Sequence, residues 1–94
     1  LKGLTQIAAS RLARLYLAQE KPDKAMEVFS AQLMDKGEGG LWELQADIAA
    51  AMGDHEEALV LYDKALEQSK ILGYPTSNIS LKKNNIPARR ARIE

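Results

Sequence analysis

Cysteine is absent from this 94-residue chain, so disulfides, thiolate metal sites and cysteine nucleophiles are excluded. His55 is the single histidine, and since a metal site would need further ligands in suitable geometry, no metal ion is expected. Nucleotide-binding and hydrolase motifs are also missing, so we expect neither a cofactor nor catalytic residues. No run of about 18 apolar residues occurs, so no membrane-spanning helix is predicted within the chain.

Alanine and leucine dominate the residues that are present, and side chains branched at the β-carbon are sparse, which favours an all-α fold. Apolar residues recur at steps of three and four, as they do on one face of a helix. Proline and glycine interrupt this pattern and divide it into five predicted helices. These helices are expected over residues 4–19, 22–34, 41–52, 54–72 and 76–85.

The spacing also predicts which residues each helix buries. The first helix should bury Leu4, Ile7, Ala8, Leu12, Leu15 and Tyr16. The second should bury Ala25, Met26, Phe29 and Leu33, and the fourth Ala58, Leu59, Tyr62, Ala65 and Leu66. Ile79 and Leu81 are the expected anchors of the short fifth helix. Gly53 suits a left-handed C-cap, and Asp54 with Glu57 predicts a capping box at the start of the fourth helix.

Two units of the chain repeat at a fixed spacing. Three pairs of residues lie 33 positions apart: Ala13 and Ala46, Ala25 and Ala58, and Phe29 and Tyr62. Small residues let paired helices approach closely, and aromatic residues fill the space beside them. A period near 34 with two helices per unit is that of the tetratricopeptide (TPR) repeat, which the chain resembles. Glu20-Lys21 stands in the first unit where the second has Gly53-Asp54.

We therefore predict an all-α, TPR-like α-α superhelix with two helix-turn-helix repeats and a C-terminal helix that caps the fourth helix. The domain is expected over residues 1–87, with repeat one at about 6–38, repeat two at about 39–72, the capping helix at about 76–86 and a basic tail at 88–94. A solenoid buries its core only between neighbouring units, and about three repeats are generally needed. Some apolar groove surface should therefore stay exposed, and a homo-oligomer is one expected consequence.

Several short segments carry a narrower resemblance. They are Arg11-Leu12-Ala13-Arg14-Leu15, Lys36-Gly37-Glu38-Gly39, Asp47, Gly53-Asp54 and Lys83-Asn84-Asn85-Ile86. Over most of residues 7–86 the chain resembles the C-terminal TPR region of the ancillary SecYEG translocon subunit family. That resemblance implies a single-span inner-membrane protein of Gram-negative bacteria with its anchor ahead of Leu1. The repeat domain would face the periplasm, near the SecYEG translocon and a membrane-anchored chaperone of the prolyl-isomerase type.

In TPR domains the first helix of each pair lines a concave groove in which ligands usually bind. The outward residues of these helices are the predicted partner-binding positions: Ser10, Arg11, Arg14 and Leu17 in unit one, and Glu43, Leu44, Asp47 and Ala50 in unit two. A basic surface beside an acidic one could bind a mixed-charge peptide. Alternatively, Arg14 and Asp47 form an ion pair between the repeats.

Charge is unevenly distributed, although the net charge is zero. Residues 35–67 carry nine acidic and two basic side chains, whereas residues 70–94 carry six basic and one acidic. The basic residues Lys82, Lys83, Arg89, Arg90 and Arg92 make nucleic-acid binding an alternative, which is disfavoured because no aromatic residues interleave with them. A regulatory or recruiting domain of a larger enzyme is a third hypothesis. The favoured function is a non-catalytic scaffold for protein–protein interaction.

Overall fold

A computed structural model describes residues 5–33 and 41–87, which contain five α-helices and no strand. The helices are α1 (Gln6–Ala18), α2 (Pro22–Gln32), α3 (Leu41–Ala51), α4 (His55–Leu72) and α5 (Ser77–Asn84). The all-α prediction is confirmed, and every predicted helix end lies within two residues of the observed one. Leu4, Met34 and the predicted basic tail at 88–94 lie outside the described residues.

Two helical hairpins form the body of the fold. α1 packs against α2, and α3 packs against α4. The short turns inside each hairpin bring the second helix back alongside the first. α3 also contacts α2 and α1, so the second hairpin stacks on the first, and α5 packs on α4 as a capping helix should.

Two apolar clusters fill the space between these helices, and α3 contributes to both. The first cluster joins α1, α2 and α3 through Ala9, Ala13, Ala25, Val28, Phe29, Leu33, Leu41, Leu44 and Ile48. The second joins α3, α4 and the C-terminal segment through Ala46, Ala49, Ala58, Leu61, Tyr62, Ala65, Ile79 and Ile86. Alanines are thus buried within both hairpins, as predicted, because side chains this small let the helix axes approach closely.

The apolar face predicted for α1 is partly wrong. Ile7 and Leu15 are 66% and 52% exposed, whereas Ala9 and Ala13 are completely buried. Leu12 does pack at the edge of the first cluster. Ala9 and Ala13 face the other helices, which approach α1 closely there, whereas Ile7 and Leu15 lie on the opposite side of the helix and are left exposed.

The buried faces predicted for α2 and α4 are confirmed. Ala25, Phe29 and Leu33 are buried, as are Ala58, Tyr62 and Ala65, while Met26, Leu59 and Leu66 pack at the edges of the clusters. Trp42 packs at the edge of the second cluster, and the Lys64 ammonium lies 4.9 Å from its ring centroid. Gly53 has a φ of +84°, which confirms the left-handed residue expected after α3.

The helix starts follow from local hydrogen bonding, with one correction. Thr5 caps α1, since its Oγ1 accepts a hydrogen bond of 3.0 Å from the Ala8 N–H. The capping box predicted for α4 is wrong, because the Asp54 side chain accepts no hydrogen bond from the first turn. Glu56 and Glu57 nevertheless lie in that turn, where the positive end of the helix dipole favours carboxylates.

α5 is held by a different pair of anchors from the one predicted. Ile79 is only 6% exposed, but Leu81 is 60% exposed. Residues two apart on a helix do not share a face, so both could not have been buried against α4. Ile86, just after the helix, is 7% exposed and supplies the second anchor.

Candidate functional site

A shallow groove of about 510 Å³ crosses the stacked hairpins beside α5. Helices α1, α3 and α4 and the C-terminal segment all contribute to it through Leu17, Ala18, Asp47, Ala50, Ala51, Tyr62, Lys82, Asn85 and Ile86. Leu17, Asp47 and Ala50 are predicted partner-binding positions, and the structure brings them together here.

The floor of this groove is built from equivalent positions of the two repeats. Leu17 and Ala50 lie 33 residues apart, and so do Ala18 and Ala51. Because alanine side chains are short, the floor stays low between Leu17 on the α1 side and Ile86 on the α5 side. The groove can therefore receive the side chains of another polypeptide without displacing residues of the core.

Asp47, Tyr62 and Lys82 form the polar wall of the groove, and they are hydrogen-bonded to one another and to Glu43 beside it. The Tyr62 hydroxyl donates to Asp47 Oδ1 over 2.5 Å. The Lys82 ammonium donates to Asp47 Oδ2 over 3.0 Å and to Glu43 Oε2 over 2.7 Å. Both oxygens of Asp47 are thus engaged, one by α4 and one by α5, and Lys82 ties the capping helix to α3.

This arrangement shifts two proton equilibria. Burial raises the pKa of Tyr62 well above its ordinary value, and the hydrogen bond to Asp47 and the nearby negative charges raise it further. For Lys82, burial lowers the pKa, but the hydrogen bonds to Glu43 and Asp47 outweigh it, so the pKa of Lys82 is raised. At neutral pH Tyr62 is therefore an uncharged donor and Lys82 is a cation.

Two predictions about groove residues are wrong. Leu44 is completely buried against the first hairpin, so it cannot contact a ligand. The alternative of an Arg14–Asp47 ion pair also fails, because Asp47 pairs with Lys82 instead. Arg14 is exposed and has no ion pair within the described part of the chain. The reason in the second case is that α5 brings a cation directly over α3.

The other predicted positions lie around the groove rather than in it. Ser10 donates its hydroxyl to a backbone carbonyl one turn earlier in α1, at 2.9 Å. Arg11 and Arg14 are exposed on α1 and do not line the groove. Glu43 lines a second cavity, of about 390 Å³, between α3, α4 and α5, and its bond to Lys82 connects that cavity to the groove.

Sequence reasoning missed the wall that the C-terminal segment provides. Asn85 and Ile86 lie three and four residues after Lys82, a spacing that brings both to the side of a helix that carries Lys82 and could have indicated a shared surface. Lys83 forms an ion pair of 2.5 Å with Asp63 on α4. Since both lysines already contact carboxylates, a nucleic-acid phosphate would have to compete for them, which further disfavours the nucleic-acid alternative.

Comparison with known proteins supports the repeat architecture. The family profile described as a tetratricopeptide repeat-like domain matches residues 2–88. No curated protein and no solved structure matches the chain. Domains of this description generally bind other proteins and are generally non-catalytic. Among residues 5–33 and 41–87, no group of side chains is arranged to hold a metal ion, and no helix is long and apolar enough to cross a membrane.

Proposed function

Since the chain belongs to the tetratricopeptide repeat-like domain family, we propose that it is a non-catalytic scaffold that holds a segment of a partner protein in the groove between α1, α3 and α5. The observation that carries this proposal is the groove itself, about 510 Å³ in volume and built from equivalent residues of both repeats. Binding would come from the shape of the groove and a few polar groups, with no chemistry supplied by the chain.

The lining suits an extended segment with apolar and uncharged polar side chains. Leu17, Ala50 and Ile86 offer apolar contacts to alternate side chains of such a segment. The side-chain amide of Asn85 can both donate to and accept from a peptide backbone. This side chain makes no hydrogen bond within the described part of the chain. Asp47 and Lys82 largely neutralise each other, so the groove wall offers no strong charged clamp.

The proposal extends to the cellular setting implied by the resemblance to the ancillary SecYEG translocon subunit family. In that setting the groove would face the periplasm at the inner membrane and bind a translocon subunit or a prolyl-isomerase-type chaperone. Two of the segments that carry the resemblance lie in elements that border the groove. Arg11–Leu15 lies within α1, and Lys83–Ile86 includes Asn85 and Ile86 of the groove wall.

Capture of partner proteins from detergent-solubilised bacterial inner membranes tests both parts of the proposal, the binding groove and the translocon setting. The immobilised chain is compared with Ala51→Trp, which fills the groove from an exposed position, and with Val60→Trp, a control on α4 at a 51% exposed residue outside the groove. We expect SecYEG subunits or the isomerase to be retained by the chain and the control and lost with Ala51→Trp. Groove-dependent capture of other proteins would refute the translocon setting alone. Capture unaffected by Ala51→Trp would refute the groove.

A further inference from the structure

The second cavity, of about 390 Å³ between α3, α4 and α5, shares no lining residue with the groove. Its walls come from the second hairpin and from the helix packed on that hairpin, so it lies within the stack of helices rather than at an end of it. Ala65 and Ile79, which are 4% and 6% exposed, provide an apolar floor. Ligand sites commonly measure about 300–1,000 Å³, so this cavity is large enough for one long side chain.

Several polar side chains with unused hydrogen-bonding groups line this cavity. Gln68 and Ser69 on α4 and Asn78 on α5 are among them, and none of these side chains makes a hydrogen bond within the described part of the chain. Glu43 also lines the cavity, and among the described residues only its Oε2 accepts a hydrogen bond, from Lys82. Together they present carboxylate, amide and hydroxyl oxygens as acceptors. A ligand that carries several N–H donors would satisfy them.

The charge of the cavity favours a cation. Glu43 is the only carboxylate or cation among the described residues that line it, and its side chain is 25% exposed. Lys82 is shared between Glu43 and Asp47, so one negative charge of this ion-paired group has no counterion among the described residues. A cationic ligand would compensate that charge in a partly buried setting, where salt screens charge pairs less than at an exposed surface.

The lining suits arginine within a polypeptide better than lysine or free arginine. A guanidinium group holds five N–H donors in a planar fork, so it can meet several acceptors at once, and it stacks on aromatic rings. Tyr74 lines the cavity and is 61% exposed, so it offers such a ring at the mouth. No lysine or arginine among the described residues lines the cavity, so nothing there would pair with the α-carboxylate of free arginine.

We propose that this cavity is a binding site for the side chain of an arginine residue of another polypeptide. The guanidinium group would donate hydrogen bonds to Glu43, Gln68 and Asn78. The methylene groups of the arginine would lie against Ala65 and Ile79, and the polypeptide backbone would stay at the mouth. The site is separate from the groove and does not rest on the function proposed for the groove.

NMR titration of the uniformly ¹⁵N-labelled chain with capped peptides tests the proposal. The probe is the tripeptide Gly-Arg-Gly, acetylated and amidated, and the matched control carries citrulline, which has nearly the shape of arginine but no charge. We expect saturable shifts of the Ser69 and Asn78 amide signals with a dissociation constant on the order of 1 mM, and about tenfold weaker binding of the citrulline peptide. The signals of Ala18 and Ala51 in the groove should stay unchanged.

Two variants and one control locate the binding site. Glu43→Gln should weaken binding of the arginine peptide about tenfold, because the charge that attracts the guanidinium group is removed. Asn78→Ala should weaken it about threefold through the loss of one uncharged acceptor. This second variant leaves the contacts of Lys82 intact, so a displaced α5 would not explain both results. Glu67→Gln, at an exposed carboxylate of α4 outside the cavity, should leave binding unchanged.

Several results would overturn the arginine site. Equal binding of the arginine and citrulline peptides would do so, and so would tighter binding of free arginine than of the capped peptide. Shifts confined to the groove, or no saturable shift at Ser69 and Asn78, would also overturn it. Binding that survives both Glu43→Gln and Asn78→Ala would mean that the peptide binds elsewhere on the chain, which contradicts the proposal as well.

Discussion

Glu20 and Gly53 occupy the same position of consecutive repeats, and both have a positive φ, 61° and 84° respectively. Each follows the first helix of its hairpin, so the chain turns there with left-handed backbone in both repeats although the sequences differ. A residue with a β-carbon is strained in this conformation by about 1 kcal/mol, whereas glycine is not. The turn geometry thus belongs to the repeat, and only one of the two sequences suits it.

Glycine substitution at the first turn should stabilise the protein. We expect Glu20→Gly to raise the free energy of unfolding by about 0.5 kcal/mol, since relief of strain exceeds the added chain entropy, and Gly53→Ala to lower it by about 1 kcal/mol. A β-carbon at Gly53 would meet nothing within 4 Å, so backbone strain alone is tested there. Urea denaturation measures both. Shifts of the same sign would show that the two turns are not equivalent.

Leu44 should behave as a core residue rather than a ligand-binding residue. Because it is fully buried between the hairpins, Leu44→Ala should cost about 3 kcal/mol of stability, from lost burial and the cavity left behind. Leu81→Ala is the matched control at a leucine that is 60% exposed, and it should change stability by less than about 0.5 kcal/mol. Similar effects of the two substitutions in thermal unfolding would contradict the burial described for α3.

Lys82 should hold α5 in place. Lys82→Gln leaves Glu43 and Asp47 near each other without the cation that joins them to α5. We therefore expect faster amide hydrogen exchange at the end of α5, while exchange in α1 and α2 stays the same. Lys24→Gln, at an exposed lysine of α2, serves as the control. Unchanged exchange in α5 would mean that Ile79, Ile86 and the Lys83–Asp63 ion pair hold the helix without Lys82.

Alkaline pH should destabilise the fold through Tyr62 and Lys82. Both have a raised pKa in the folded chain, so their contributions are complete below the unfolded-state values, about 10 for tyrosine and lysine alike, and are lost as the pH rises through the folded-state values. Each proton released only on unfolding lowers stability by about 1.4 kcal/mol per pH unit. Urea titrations from pH 7 to 11 should show a plateau followed by this decline, with a shallower decline in Tyr62→Phe. An identical decline in that variant would exclude Tyr62 as a source.

Helix positions and the alanines buried between paired helices were predictable because they depend on local signals. Pro22 fits the first turn of α2, Gly53 ends the third helix in the left-handed region, and the 33-residue spacing of Ala25 and Ala58 identifies the hairpin seams. Such features depend on backbone geometry and on residues close in sequence or one repeat apart. They can therefore be predicted without knowledge of the tertiary structure.

Contacts that depend on which elements stack against a helix were not predictable in this way. The place of Leu44 on the first helix of its repeat predicts a groove residue, yet the preceding hairpin buries it. In the sequence Lys82 belongs to the basic C-terminal residues, yet α5 places it against two carboxylates of α3. Which side of a helix is covered depends on the neighbours stacked on it, and helix periodicity alone does not contain that information.

The groove assignment can be tested most directly by photo-cross-linking in living cells. A benzoylphenylalanine introduced at Ala18, an exposed residue of the groove floor, is compared with the same residue at Val60, which is exposed on α4 outside the groove. If the groove binds a partner protein, position 18 should give discrete protein adducts that disappear when Ala51→Trp is added, and position 60 should give no such adducts. Adducts from position 60 alone, or adducts from position 18 that persist with Ala51→Trp, would contradict it.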